Sequence, residues 1–261
     1  QIGNYKAFVP RPPPDGNGFD LSPQLLAQLS KADRALARLD GSIEALPAPD
    51  LFVLQYIRKE AILSSQIEGT QASLSDVLKA EAKVLDPSSP HDVRETVNNI
   101  AALRYGVEQI RTRPLTTNLI CEMHAILMRD VRGGDKSPGW LRSGQNWIGP
   151  EGCMIGAATY VPPPPGLIAD KMAEFERYVN EDKGLPLLVK VAFSHAYFET
   201  IHPFFDGNGR LGRTIITLLL LMHGALSKPV LYLSHYLRRH RSLYNDRLQA
   251  TREDGNLDDW V

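Results

Sequence analysis

The strongest constraint on this chain is a polar, glycine-rich run, Ile201-His202-Pro203-Phe204-Phe205-Asp206-Gly207-Asn208-Gly209-Arg210-Leu211-Gly212-Arg213, set between two apolar segments. Leu187 to Phe198 precede it, apolar and free of Gly and Pro, and Thr214 to Met222 follow it at helix length. Periodicity and composition predict a tight loop joining two buried helices. A centre of that kind commits the chain to a mainly α-helical architecture. Its 261 residues, 43% hydrophobic, supply a sizeable core, and length alone allows one or two domains.

The loop carries chemistry as well as a turn. Gly207 and Gly209 permit backbone angles barred to other residues and let a ligand approach the main chain. A helix beginning near Asn208 would present its first N–H groups, which lack intrahelical acceptors, at the positive end of its dipole. Such a terminus is a phosphate cradle. Arg210 and Arg213, three residues apart, share one helix face beside it, and the planar guanidinium grips phosphate oxygens in pairs. Asp206 supplies one carboxylate of the kind that holds Mg²⁺, with substrate phosphates and water completing the octahedron. His202, with an ordinary pKa of about 6.5, suits a proton acceptor near neutrality. A base, a metal ligand and an anion nest in one loop point to a nucleoside triphosphate with Mg²⁺ as substrate.

The pattern His202-x-Phe204-x-Asp206-Gly207-Asn208-Gly209-Arg210-x-x-Arg213 resembles the signature of the Fic (filamentation induced by cAMP) family at every defining position. The resemblance implies a Fic fold, a helical bundle with a small β-hairpin flap. It also implies protein adenylyltransferase activity: transfer of AMP from ATP to a Ser, Thr or Tyr hydroxyl of a target protein, with release of pyrophosphate. By position, His202 would be the base that deprotonates the hydroxyl, and Asp206 would hold Mg²⁺ between the α- and β-phosphates. The Gly207, Asn208 and Gly209 amides and Arg210 would cradle the α/β region, and Arg213 would meet the γ-phosphate.

Upstream, residues 1–20 contain Pro10-Arg11-Pro12-Pro13-Pro14-Asp15-Gly16 and read as an extended surface arm. Ser22-Pro23 offers an N-cap with Pro in the first turn, followed by leucines at helical spacing through Leu39. Leu46 to Asp50 breaks that helix, and Asp50 is expected to cap the next, which runs from about Leu51 to Gly69. Its end, Ser64-x-x-x-Glu68-Gly69, looks like the inhibitory motif of Fic proteins that carry an N-terminal regulatory helix, with Gly69 as the stop residue. The resemblance implies that Glu68 pairs with Arg213 and takes the place of the γ-phosphate. A charge-assisted hydrogen bond is worth about 1.5–3 kcal/mol, roughly ten- to hundredfold in an equilibrium.

Further helices are expected over Leu74–Val84, His91–Ile110, Thr116–Val131, Leu167–Asn180 and Leu185–Ile201. Cys121-x-x-His124 lacks a matching metal pair and reads as core. Gly133-Gly134-Asp135-Lys136-Ser137 lacks the spacing of a phosphate loop. Trp140 to Pro165 changes character: β-prone ends, Asn146 to Gly149 and Ala158-Thr159-Tyr160-Val161, flank a turn-rich middle and predict a hairpin. By resemblance this is the flap, in which Ala157, Ala158, Thr159 and Tyr160 would align a target segment through main-chain bonds. His195 lies two helical turns before His202 and reads as a buried, hydrogen-bonded residue rather than part of a metal cluster. Arg238-Arg239-His240-Arg241 reads as a solvated face, and Tyr244, at the start of a last helix, as lining the adenine pocket.

The division expected is 1–110, a helical region bearing the inhibitory helix, and 111–261, the Fic catalytic core, in one compact unit. The resemblance to longer relatives that carry a C-terminal winged-helix domain implies one beyond it. Net charge of −1 argues against nucleic acid as a partner of this region. No run approaches 18 apolar residues, so no membrane span is expected, and two cysteines fit a reduced, bacterial cytoplasmic setting. Self-modification and a homodimer stay open. So do two rival functions: removal of AMP from a modified protein at the same site, and nucleotide sensing without transfer.

Overall fold

In the computed structural model, residues 5–82, 91–131, 137–150, 152–253 and 255–261 are described. Ser22 opens the first helix, α1 (Pro23–Glu44), its hydroxyl accepting from the Leu25 N–H at 3.2 Å. Next come α2 (Pro49–Ile67), α3 (Leu74–Glu81), α4 (His91–Gln109) and α5 (Thr117–Leu127). Asp50 does not cap α2 as expected; it lies in the first turn and reaches out to Lys228 at 2.8 Å, leaving Ala48 as an uncapped entry. Thr116 caps α5 through the Leu119 N–H, and the helix stops at Leu127, short of Val131, where Asp130 turns to a φ of +52°. Val84 and Gly133 to Lys136 lie outside the described residues.

The second half holds α6 (Ile168–Asn180), α7 (Leu187–Ile201), α8 (Asn208–Met222), α9 (Leu233–Arg239) and α10 (Arg241–Glu253). The expected loop between buried helices is the centre of the fold. α7 is buried almost throughout from Val189 to Ile201, and α8 from Asn208 to Leu220, so neither shows a polar stripe. α6 covers α7, while α4 and α5 cover α8, around Phe175, Phe193, Phe198, Phe204 and Leu218. A smaller cluster of Ile57, Ala61, Ile62, Val77, Ile100 and Leu103 seats α2 and α3 on α4. α2 also packs along α9. Among the described residues no helix is long and apolar enough to cross a membrane.

The flap departs from expectation. In place of a hairpin ladder there is one antiparallel bridge, Ile148 to Tyr160, with N···O distances of 2.8 and 3.0 Å. Ile155–Ala157 forms a 3₁₀ turn, so Ala157 is not extended. The prolines explain this: Pro150 and Pro162 to Pro165 cannot donate to a ladder. The Trp147 indole closes the turn instead, donating to the Cys153 carbonyl at 2.9 Å. The N-terminal arm runs alongside, with the Phe8 N–H on the Val161 carbonyl at 2.9 Å.

α2 is tied to α9 by a buried carboxyl. Glu60 accepts from the Ser234 N–H at 3.1 Å and from the Ser234 hydroxyl. Burial outweighs those bonds and pushes the Glu60 carboxyl up to about 7. The folded state therefore binds this proton more tightly than the unfolded chain. Its contribution to stability is complete below about pH 4.5 and is lost as pH rises through about 7. Glu60→Gln keeps the shape without the titration. Urea unfolding should show the variant gaining about 2 kcal/mol on the parent between pH 5 and pH 8. A difference independent of pH would refute this account of Glu60.

Candidate active site

His202 ends α7 in the left-handed region, at φ 49° and ψ 61°, an unusual place for a residue with a side chain. Its backbone is clamped from both sides. The N–H reaches the Phe198 carbonyl at 3.0 Å, and the carbonyl accepts from Arg142 Nε at 2.9 Å. Burial, then the charges of Arg252 and Arg142, push the imidazole down to about 3, so it is neutral at physiological pH. A neutral ring has a lone pair with which to take a proton.

After Pro203 the chain turns through Phe205 to Gly207 (φ 79°) and enters α8 with no side-chain cap. The Gly207 N–H is taken by Asp206 Oδ1 at 2.6 Å, whereas the first-turn N–H groups from Asn208 onward face the opening without intrahelical acceptors. The Asn208 side chain holds the loop shut on itself, bonding the Phe204 N–H and carbonyl at 2.9 and 2.8 Å. Only its backbone is left for a ligand.

The two arginines part company. Arg213 is 2% exposed and turns to α2: Nε donates to Ser64 Oγ at 2.8 Å, and Nη2 to the Ser64 carbonyl at 3.0 Å and Glu68 Oε1 at 2.6 Å. Gly69 follows at φ 102°, the stop expected there. Burial works to raise the Glu68 carboxyl, but the Arg213 charge and hydrogen bond hold it below its ordinary value. Its side chain is still 41% exposed toward the opening, so solvent screening weakens the pair. The same carboxylate lies over the α8 terminus, because a Cβ on Gly209 would come within 2.3 Å of Glu68 Oε1. Arg210 turns instead to α4, pairing with the buried Glu95 at 3.2 Å and with Asp206 Oδ1 at 3.4 Å.

Sequence reasoning missed Glu95, and it took His124 for simple core. His124 is 1% exposed and stacks on Phe204, ring centroids 3.9 Å apart. The Gly139 N–H donates to its Nδ1 at 2.9 Å, which leaves the proton on Nε2 to reach the Asp206 carbonyl at 3.1 Å. Burial pushes this imidazole down to about 4. No local signal distinguishes such a histidine from an ordinary buried one.

These groups surround a cavity of about 640 Å³ lined by Glu68, His202, Asp206 to Arg210, Arg213, Tyr244 and Arg252. Thr159 and Tyr160 of the flap also face it, while Ala157 and Ala158 do not. The Tyr160 N–H and carbonyl are used in the bridge, and the Thr159 carbonyl accepts from Gln249 at 3.3 Å, so these main-chain groups, expected to meet a target segment, are already bonded within the chain. Tyr244 lines the wall with its hydroxyl 2.8 Å from His195 Nε2, so His195 is a buried, bonded residue. A larger cleft of about 1130 Å³ opens away from His202, between α2, α4 and the far end of α8.

The donor set bears on metal binding. Among the described residues no group of three or more His, Cys, Asp or Glu side chains could cage an ion. Asp206 alone, its side chain 39% exposed at the cavity edge, fits a cation that takes its other ligands from phosphates and water.

Two family models match the chain: Fic/DOC family N-terminal over residues 26–108, and Fic/DOC family over residues 114–220. A probable protein adenylyltransferase of Aquifex aeolicus is 26% identical over 177 residues, covering 67% of this chain and 51% of that protein. Protein adenylyltransferase Fic of Drosophila melanogaster is 29% identical over 208 residues, covering 74% and 39%. The chain thus spans about half or less of the length of these relatives. Among solved structures, a Fic family protein from Desulfovibrio desulfuricans G20 superposes with a TM-score of 0.71 at 22% identity, over 93% of this chain and 70% of that one. Fic-1 from C. elegans gives a TM-score of 0.66 at 19% identity, over 92% and 73%. The fold is shared.

If His124 holds the Asp206 turn through its two ring nitrogens, His124→Phe, which keeps the stack on Phe204, should cost about 1–3 kcal/mol in urea unfolding. An unchanged midpoint would mean that neither bond contributes.

Proposed function

The chain belongs to the Fic/DOC family, and from that premise we propose that it transfers AMP from ATP to a hydroxyl side chain of a target protein, restrained by Glu68. One observation carries the proposal: His202, the open α8 terminus and the Glu68–Arg213 pair all face a single cavity. Relatives named protein adenylyltransferase support the same chemistry.

In this reading the phosphate chain lies over the α8 terminus, with the α-phosphorus toward His202. The neutral imidazole takes the proton of the attacking hydroxyl as the new P–O bond forms and pyrophosphate departs. Charge on the departing group is met by the helix N–H groups and by Arg213. Mg²⁺, when bound, would be held by Asp206 and would neutralise phosphate charge. Arg210, committed to Glu95, acts by fixing the Asp206 carboxylate and adding positive potential beneath the cradle. Clamping of the His202 backbone by Arg142 keeps the ring in one place, which is most of what such a reaction asks of a protein.

Glu68 restrains turnover because its carboxylate already holds Arg213 and lies over Gly209, where a terminal phosphate would have to settle. Two anions cannot share that position. Removing the carboxylate leaves Ser64 to keep Arg213 in register.

Incubation with radiolabelled ATP and Mg²⁺, followed by mass spectrometry of the protein and of lysate partners, tests the reading. Glu68→Gly should raise AMP adducts roughly tenfold, the range of one screened charge-assisted bond. Unchanged or lower labelling would refute the restraint. In that background His202→Ala should cut transfer by at least about a hundredfold while ATP still binds. Retained transfer would reject His202 as the base. Loss of AMP from a modified target that needs Glu68 would point to the reverse reaction, and ATP binding without any transfer to a sensing role.

A further inference from the structure

Within the cavity one buried acid has no assigned task. Glu199 lies on α7 three residues before His202, nearly one helical turn, and lines the same cavity. It is 5% exposed, and its Oε1 has no hydrogen-bond partner among the described residues. Leaving such a group unsatisfied is costly, so its persistence in a ligand cavity asks for an explanation.

Its seat is defined by a glycine. A Cβ on Gly212 would lie 2.3 Å from Glu199 Oε1, just as one on Gly209 would lie 2.3 Å from Glu68 Oε1. Gly209 and Gly212 are one turn apart on α8, so two carboxyls lie along a single helix face. Glu68 covers the terminus, and Glu199 sits one turn deeper. Glu68 has Arg213 for a partner; the Glu199 side chain has none among the described residues.

The charged and titratable groups around it are Arg213 on α8, Glu68 on α2, Arg252 and Tyr244 on α10, and His195 and His202 on its own helix. Burial leads, and despite Arg213 and Arg252 it pushes the Glu199 carboxyl up to about 7. A neutral carboxyl has an O–H to donate, and at a group so buried that donor is stronger than it would be in bulk water. Glu199 lines the same cavity as His202 and Arg213, one turn of α8 below the terminus over which the phosphate chain lies in the function proposed above.

We infer that Glu199 is a nucleotide-binding residue which, as the neutral acid, donates a hydrogen bond to a phosphate oxygen of the bound nucleotide. The inference rests on that functional reading and deepens it. A phosphate chain beside Glu199 favours the protonated form further, so binding above neutral pH takes up a proton from solvent.

Calorimetric titration of ATP into Glu68→Gly protein, from about pH 6 to about pH 8.5 in buffers of different ionisation heat, tests this. Relative to the Glu68→Gly, Glu199→Gln double variant, which keeps a neutral donor, the Glu68→Gly protein should bind comparably near pH 6. Above about pH 7 it should weaken by up to about tenfold per pH unit and take up close to one extra proton. Glu68→Gly, Glu199→Ala should bind at least about tenfold more weakly than the Gln double variant at every pH, having lost the donor. Tripolyphosphate should repeat the pattern; a pattern confined to ATP would move the contact to the nucleoside and overturn the phosphate assignment.

Equal proton uptake in the Gln variant, or equal affinity in all variants, overturns the inference. The latter is what Glu199 would give if it only accompanied His195, whose Nδ1 is also without a partner and lies 3.1 Å from the same point over Gly212. Glu68→Gly protein that binds no ATP at all would instead remove the functional reading beneath it.

Discussion

A guanidinium that is 2% exposed must have acceptors for its N–H groups and a counter-charge within reach, because an unpaired buried cation is among the most expensive features a fold can hold. For Arg213 those acceptors come from α2, as the Ser64 hydroxyl, the Ser64 carbonyl and the Glu68 carboxylate. The need fastens the end of α2 to the first turn of α8 and so builds the N-terminal helices into the wall of the cavity. Two of the three acceptors are neutral and permanent. The third is an anion, and any other anion arriving at the same point meets the same requirement. In the function proposed, restraint and substrate recognition would therefore be one electrostatic condition with two ways of being met.

Burial sets protonation in and around that cavity. His202 and His124 are pushed down by burial, Glu60 and Glu199 up, each toward its neutral form. Neutral groups do not compete with the phosphate chain for the Arg213 charge. Glu68 goes the other way: the Arg213 charge and hydrogen bond outweigh burial and hold its carboxyl below the ordinary value. Burial also leaves His202 with a free lone pair at the pH where it would work.

The loop between α7 and α8 was legible because its polar residues interrupt two apolar segments, and Asn208 does open α8 where Gly207 allows the turn. Gly69 beyond α2 and the Ser22 cap were readable for the same reason: each acts within a few residues of itself. What the sequence hid are pairs that meet across the fold. Glu95 and Arg210 lie 115 residues apart, and His124 and the Asp206 carbonyl 82 apart. Nothing near either residue announces the other. The hairpin was over-read because β-prone residues at both ends say nothing about whether the prolines between and beyond them leave donors for a ladder. Asp50 was over-read in the same way: its type suits a cap, but a lysine brought in from residue 228 engages it instead.

Arg142 shows how a minimal flap can still hold a site in order. Its guanidinium is 2% exposed and donates only to carbonyls, those of His202, Gly144 and Pro163, while its own N–H reaches the Pro203 carbonyl at 2.9 Å. One side chain thus binds the entrance of the flap, its exit and the backbone of His202. Tyr160 adds a second anchor, its hydroxyl on the Thr200 carbonyl at 2.6 Å and its ring beneath Arg252 at 3.9 Å. With roots fixed on α7 and α10, a full ladder is not needed to set the roof of the cavity. The turn beyond projects outward, and Met154 in it is 78% exposed. The atoms that fix the His202 backbone, Arg142 Nε and the Phe198 carbonyl, are therefore separate from the exposed end of the flap, so in the function proposed a target segment could be met there without shifting the imidazole.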